Sequence, residues 1–183
     1  FNDLNLVTGK STIGNYYSME YHSFNEDMND FMSRVKLTGR FQNSTISSDD
    51  LAYFDTRIKK WKRKFEFSGD VQGTIENLTG TGLKVKSGAS QLDGDLTLRG
   101  LPDIETTYID LTSRNLRTNY AEINSIVPDF RQTDGMQLKK LGNLQFAGKF
   151  TGFLNDFKSN GKIQTDLGNL TADITMKRSE EHT

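Results

Sequence analysis

The sequence predicts a mainly β protein in which long antiparallel strands form one sheet curved around an apolar face. Three observations carry that prediction. First, an apolar position recurs at every second residue in Val35-x-Leu37-x-Gly39-x-Phe41, in Phe65-x-Phe67-x-Gly69-x-Val71-x-Gly73-x-Ile75 and in Leu144-x-Phe146-x-Gly148-x-Phe150-x-Gly152-x-Leu154. A period of two puts these residues on one side of an extended strand, and the residues between them, such as Glu66, Ser68, Asp70, Gln145 and Lys149, on the side that meets water. Second, glycine repeatedly takes one of the apolar positions. Glycine inside a strand costs backbone entropy and packs no side chain, so its recurrence on one face points to a bend, a bulge or a close approach to the inner surface, with ordinary sandwich packing as the alternative. Third, hydrophobic residues make up only 34% of 183 residues at a mean hydropathy of -0.63, while 16 Gly stand against 2 Pro. That balance is too polar for a thick core and too periodic for a disordered chain, and a sheet with one apolar face and little covering it satisfies both.

Taken in order, Leu4 to Val7 and Thr12 to Tyr21 read as short strands with turns at Gly9 and Gly14, the second placing Tyr17, Met19 and Tyr21 on one face. About three short helices precede the long strands. Asn25 is suited to cap the first, with Glu26 and Asp27 in its first turn and Phe24, Met28, Phe31 and Met32 on its apolar side. Ser48 is suited to cap the second, running on to Phe54, and Asn119 the third, with Glu122 three residues on and Pro128 as the stop. Residues 67–78 align without gaps to residues 146–157, an offset of 79. Return strands follow at Leu83 and Val85 and at Ile163, Thr165 and Leu167, then alternating stretches at Leu92 to Leu98 and Leu170 to Met176. Such an internal repeat stacks to bury what each unit exposes, giving one elongated segment: residues 1–32, a first full repeat over 33–117, a second over 118–178, and 179–183 as an appended tail.

Composition excludes several function classes. A formal net charge of -1 gives no electrostatic case for nucleic acid. Zero cysteines remove thiolate zinc sites and cysteine nucleophiles, and two histidines, His22 and His182, do not support a metal cluster or a Ser-His-Asp arrangement, so no catalytic residue, metal site or cofactor is expected. Asp93 and Asp95 fall on the water side of an alternating strand and read as surface charges rather than cation ligands. Gly80-x-Gly82 lacks the third glycine and the helix of a dinucleotide fingerprint. No apolar run reaches the roughly 18 residues of a spanning helix. The chain begins at Phe1 without an initiator methionine or signal-peptide pattern, as an excised piece or a mature form would. Six positive charges lie in the eight residues from Arg57 to Lys64. Lys59, Lys60, Trp61, Lys62, Arg63 and Lys64 form a candidate contact for an anionic surface; a solvated connection whose long stems cover the sheet rim is the alternative.

The order of these features, namely Ser48 to Phe54, a basic segment, Phe67 to Leu78, Leu96 to Pro102, a helix ending at Pro128 and Leu141 to Gly152, resembles an internal segment of a TamB protein of the Bacteroidetes type, within the AsmA-like group. The resemblance covers about Phe24 to Lys177. It implies a periplasmic stretch of an inner-membrane-anchored envelope protein of a Gram-negative bacterium, a β-groove linked to phospholipid movement and outer-membrane protein assembly or secretion. The implied partners are phospholipid acyl chains and, through other parts of the protein, an outer-membrane TamA or BamA-type partner.

The alternating pattern supplies the groove. Its candidate lining is Val35, Leu37 and Phe41, then Phe65, Phe67, Val71 and Ile75, then Leu83, Val85, Leu96 and Leu98. Leu144, Phe146, Phe150 and Leu154 continue it, followed by Ile163, Leu167, Ile174 and Met176. Two rival readings are a structural or adhesive β-repeat with a closed core and a carbohydrate-binding or carbohydrate-cleaving repeat. The cleaving version needs a convergent carboxylate pair, whereas the acidic residues here are scattered along water-facing positions.

Overall fold

Alternation of apolar and polar residues generates ten strands, and each pairs antiparallel with the next in chain order: β1 (Leu4–Thr8), β2 (Ser11–Glu20), β3 (Lys36–Ser47), β4 (Lys64–Gly73), β5 (Asn77–Ser87), β6 (Ser90–Arg99), β7 (Tyr108–Asn119), β8 (Asn143–Phe153), β9 (Asp156–Thr165) and β10 (Gly168–Met176). The computed structural model describes residues 4–52, 59, 61–101, 103–126 and 138–177. The sheet is curved and does not close into a barrel: among the described residues β1 pairs only with β2 and β10 only with β9. At about 4.8 Å per strand it runs roughly 45 Å from edge to edge. The ladder between β7 and β8 continues the sheet without a break, so the junction between the two sequence repeats is not a boundary of the fold.

Three mid-strand bulges help set the curvature. The pairing register shifts by one between Phe41 and Ser44 in β3, between Gly80 and Leu83 in β5, and between Ser113 and Leu116 in β7. Each inserts one extra residue, which bends the strand and strengthens its twist. Asn43 sits at φ 48 and Gly82 at φ 59, left-handed conformations in two of the bulges that these residue types tolerate. Both bulge amides are satisfied by side chains, Asn43 N–H donating to Ser68 Oγ at 3.0 Å and Gly82 N–H to Asp95 Oδ1 at 2.7 Å. A row of small residues crosses the sheet beside the bulges. Gly94 pairs with Ser113, Ser113 with Gly148, Gly148 with Gly161 and Gly161 with Ala172. A Cβ on Gly148 would strike the Asn160 carbonyl and the Gly161 Cα, and one on Gly94 the Thr112 carbonyl. The backbones thus approach each other on the apolar side along this crease.

Among the described residues, four short helices occupy the connections: α1 (Phe24–Asn29), α2 (Phe31–Arg34), α3 (Ser48–Leu51) and α4 (Tyr120–Ile126), with a 3-10 turn at Leu138–Leu141. The expected caps shift by a residue or two. Ser23 precedes α1 and Asn25 lies inside it; Asp27 reaches back to accept from His22 N–H at 2.5 Å and Ser23 N–H at 3.1 Å. The first helix is also broken at Asp30, whose backbone leaves helical geometry. Ser47, not Ser48, caps α3 by accepting from Asp49 N–H at 3.3 Å. Ser48 is fully buried and tied instead to Arg63, donating from its amide at 2.8 Å and accepting from the Arg63 amide at 2.9 Å. Asn119 caps α4 as expected, its Oδ1 accepting from Glu122 N–H at 3.0 Å. Tyr53, Phe54, Val127, Pro128 and residues 179–183 lie outside the described residues.

The strand β7 carries the register between the two repeats, yet its sequence does not alternate cleanly. Ile109, Leu111 and Ser113 follow a period of two, after which the bulge at Arg114 and Asn115 delays the next inward residue to Leu116.

Candidate functional site

The registers assemble the apolar positions into rows that run across the sheet. One row is Ser44, Phe67, Val85, Leu92, Leu116, Phe146, Ile163 and Leu170; each is the partner of the next. On the other side of the crease run Gly39, Val71, Gly80, Leu96, Leu111, Phe150, Ser159 and Ile174. Beyond it lie Leu37, Gly73, Leu78, Leu98, Ile109, Gly152, Phe157 and Met176. The rows extend onto β2, where Tyr17 pairs with Gly39 and Met19 with Leu37. Most of the expected groove residues therefore come together on one face. A hollow of about 600 Å³ spans β3 to β7 next to the bulges, but Glu66, Ser68, Lys84, Lys86, Gln91 and Asp93 of the polar rows make up most of its lining, so it is distinct from the apolar rows.

Aromatic rings and glycines interlock within the groove. Phe41 lies over Gly39 of its own strand, where a Cβ would collide with the ring, and its centroid is 4.9 Å from that of Phe67 and 6.5 Å from that of Tyr17. Leu83 lies over Gly80 in the same way. Phe150 and Phe157 stack at 4.7 Å. The glycines thus give large neighbours a place to lie flat, which explains why Phe41 and Leu83 are buried.

Burial is otherwise slight. Among the described residues the buried hydrophobic side chains are Val35, Phe41, Leu83 and Phe146; the remaining apolar members of the rows on β4 to β9 are half-buried. No second layer covers the apolar face among the described residues. Alternation in exposure is plain on β9, where Phe157, Ser159, Gly161, Ile163 and Thr165 are half-buried and Lys158, Asn160, Lys162 and Gln164 are exposed.

Four expected groove residues sit elsewhere. Val35 precedes β3, fully buried where its amide bonds to Phe31 of α2 at 3.2 Å. Leu167 lies in the turn between β9 and β10, 72% exposed, because β9 ends at Thr165 and the chain has already reversed. Ile75 and Leu154 belong to the turns after β4 and β8 and sit half-buried at the groove rim. Conversely, Tyr17, Met19, Leu78, Leu92, Ile109, Leu111, Leu116, Phe157 and Leu170 share the apolar face and were not among the expected lining. Phe153, which breaks the alternation of β8, faces the other way and packs on Tyr108 at 5.6 Å, with Arg99 5.9 Å from the Tyr108 ring.

The basic run divides. Arg63 is ion-paired with Glu122 of α4, with both side chains largely shielded. Arg63, together with the Ala89 amide and the Ser90 hydroxyl, holds the Glu122 carboxyl below its ordinary range. Trp61 is half-buried with its ring 6.0 Å from that of Phe65. These two residues hold the connection to the sheet and leave the candidate anionic contact. Lys59, Lys62 and Lys64 are exposed, and Lys60 lies outside the described residues.

On the polar face, Asp93 and Asp95 are bridged by the Arg114 guanidinium, at 2.7 Å from Nε and 3.1 Å from a terminal nitrogen. They act as an ion-pair cluster across β6 and β7. Among the described residues no group of three or more His, Asp or Glu side chains is placed to hold a metal ion, and no helix is long and apolar enough to cross a membrane. No family model, curated protein or solved structure matches the chain.

Proposed function

We propose that this chain is a periplasmic segment of a TamB-like, AsmA-like envelope protein and that its groove solvates phospholipid acyl chains without chemistry of its own. One observation carries the proposal: rows of apolar side chains run across all the long strands and remain half-exposed. Burying such surface is worth roughly 25 cal/mol per Å², and an acyl chain laid along the rows gains about 0.8 kcal/mol per buried CH₂ without any directed hydrogen bond. An amphiphile can therefore be held and still slide. Anchorage in the inner membrane of a Gram-negative bacterium and engagement of a TamA or BamA-type partner belong to other parts of the longer protein, and outer-membrane protein assembly or secretion is the companion role.

A closed structural or adhesive repeat would bury these rows against a second layer, and four buried hydrophobic side chains among the described residues are few for such a core. Native mass spectrometry with lipid extraction distinguishes the two. Purified chain is expected to carry phospholipid, and Val71→Asp or Phe150→Asp to lose it while keeping a β-type circular dichroism spectrum, because an unpaired charge in an apolar channel costs several kcal/mol. A lipid-free native chain, or unfolding of both variants, would favour the closed repeat.

A further inference from the structure

The two rims of the groove differ in charge. Along one, the connections after β2, β4 and β6 bring Glu26, Asp27, Asp30, Glu76 and Glu105 beside Arg34, and the strand ends on the same side add Glu20 and Asp156 against Lys36, Arg99 and Lys177, a net acidic balance among the described residues. Arg34 is itself placed on Asp27 and Asp30. Along the opposite rim, the acidic groups of the described residues are satisfied locally. Asp49 pairs with Lys10 at 2.6 Å, Asp50 accepts from Ser11 and the Lys10 amide, Glu122 takes Arg63, and Asp166 accepts from the Asn143 amide at 2.9 Å. Lys59 and Lys62 add only to the field around Asp49.

What remains facing water on this rim is Lys59, Lys62, Lys139 and Lys140, with Lys64 at the start of β4 on the polar side beside Phe65, all exposed and none ion-paired among the described residues. Helix α4 gathers them from two distant connections. Its Glu122 holds Arg63, the neighbour of Lys62, and its Tyr120 ring lies 5.3 Å from Lys139 Nζ.

We propose that this lysine rim seats the anionic headgroup of the amphiphile whose acyl chain lies in the groove, so that lipids lie in one orientation, head toward Lys59, Lys62, Lys139 and Lys140 and tail toward the glycine crease. The inference rests on the groove as an acyl-chain site and adds to it a headgroup charge and a direction. Lysine stems can follow a headgroup as it moves, and the acidic rim opposite repels the reversed orientation. Each lysine near a lipid phosphate contributes on the order of 1 kcal/mol, about a fivefold change in affinity.

The test uses the 183-residue chain and two single-chain lipids that differ in head charge, anionic lysophosphatidylglycerol and zwitterionic lysophosphatidylcholine, each below its micellar concentration. The anionic lipid is expected to bind at least about fivefold tighter, with the preference shrinking as salt rises. In a variant carrying Lys59→Gln, Lys62→Gln, Lys139→Gln and Lys140→Gln the preference disappears while zwitterionic binding persists. Glu76→Gln with Glu105→Gln on the other rim leaves the preference intact. Equal binding of the two lipids by the native chain, or a preference that survives loss of the lysines, overturns the proposal. Displacement of bound lipid by free glycerol phosphate at matched concentration also overturns it, since the rim would then be a phosphate site independent of the groove. Failure of both lipids to bind defeats the groove itself and is thereby told apart from failure of the rim.

Discussion

Arg63 and Glu122 join the connection before β4 to the helix before β8, and a sequence reading that placed Arg63 among solvated cations could not foresee a partner so remote along the chain. Removing either charge leaves the other shielded and unpaired, so Arg63→Gln or Glu122→Gln is expected to lower the urea midpoint by an amount worth about 1–2 kcal/mol. Lys59→Gln or Lys62→Gln should stay within about 0.5 kcal/mol of the native chain. The pH dependence has a definite sign. Glu122 has a depressed folded pKa, so its stabilisation is complete above the ordinary carboxylate value and is lost as pH falls through the depressed one; a Glu122→Gln chain should lack that acid-side slope. The glycines divide just as sharply. Their clustering on one face was legible as a bend or a close approach, but which glycine does which follows only from the register. Gly148→Val drives side-chain atoms into the Asn160 carbonyl and should cost about 1–3 kcal/mol or prevent folding, whereas Gly82→Ala meets open space and bears only the left-handed conformation, about 1 kcal/mol. Equal losses for the two would contradict the crease.

Elements whose sequences alternate cleanly, such as β4, β6 and β10, and β8 as far as Gly152, were legible from period alone. The strand β7 was not, because one inserted residue between Ser113 and Leu116 moves Leu116 out of phase, and with it the matching positions Ile109 and Leu111 lose their signal. Leu167 failed for the opposite reason: it continues the period of β9 numerically, but the turn at Asp166 and Leu167 has already taken the chain out of the sheet. Helix caps were displaced because Ser47 and Ser48 are both competent, and the choice between them depends on Arg63 arriving to bind Ser48. At this scale the edges are the exposed elements. Amide exchange is expected to be slowest in β4 to β8, which are paired on both sides, and fastest in β1 and β10, which are paired on one. Protection of β10 equal to that of β5 would mean that something else covers its free edge.

For the whole molecule, ten sequential antiparallel strands, three bulges and a crease of small residues fold one apolar face inward without closing it, with helices confined to the rims. The curved, mainly β architecture was readable in the sequence from alternation, glycine placement and low mean hydropathy together; the charge difference between the rims was not, because it depends on which connections lie on the same side. The central claim is that the inward face meets acyl chains and the outward face does not, and adjacent residues of one strand test it with the backbone held constant. A photo-reactive residue placed in turn at Phe67, Val71, Phe146 and Phe150, and at Ser68, Gln72, Gln145 and Thr151, should crosslink to phospholipid in cells from the first set and not from the second. Equal labelling from both faces, or labelling from neither, would contradict it.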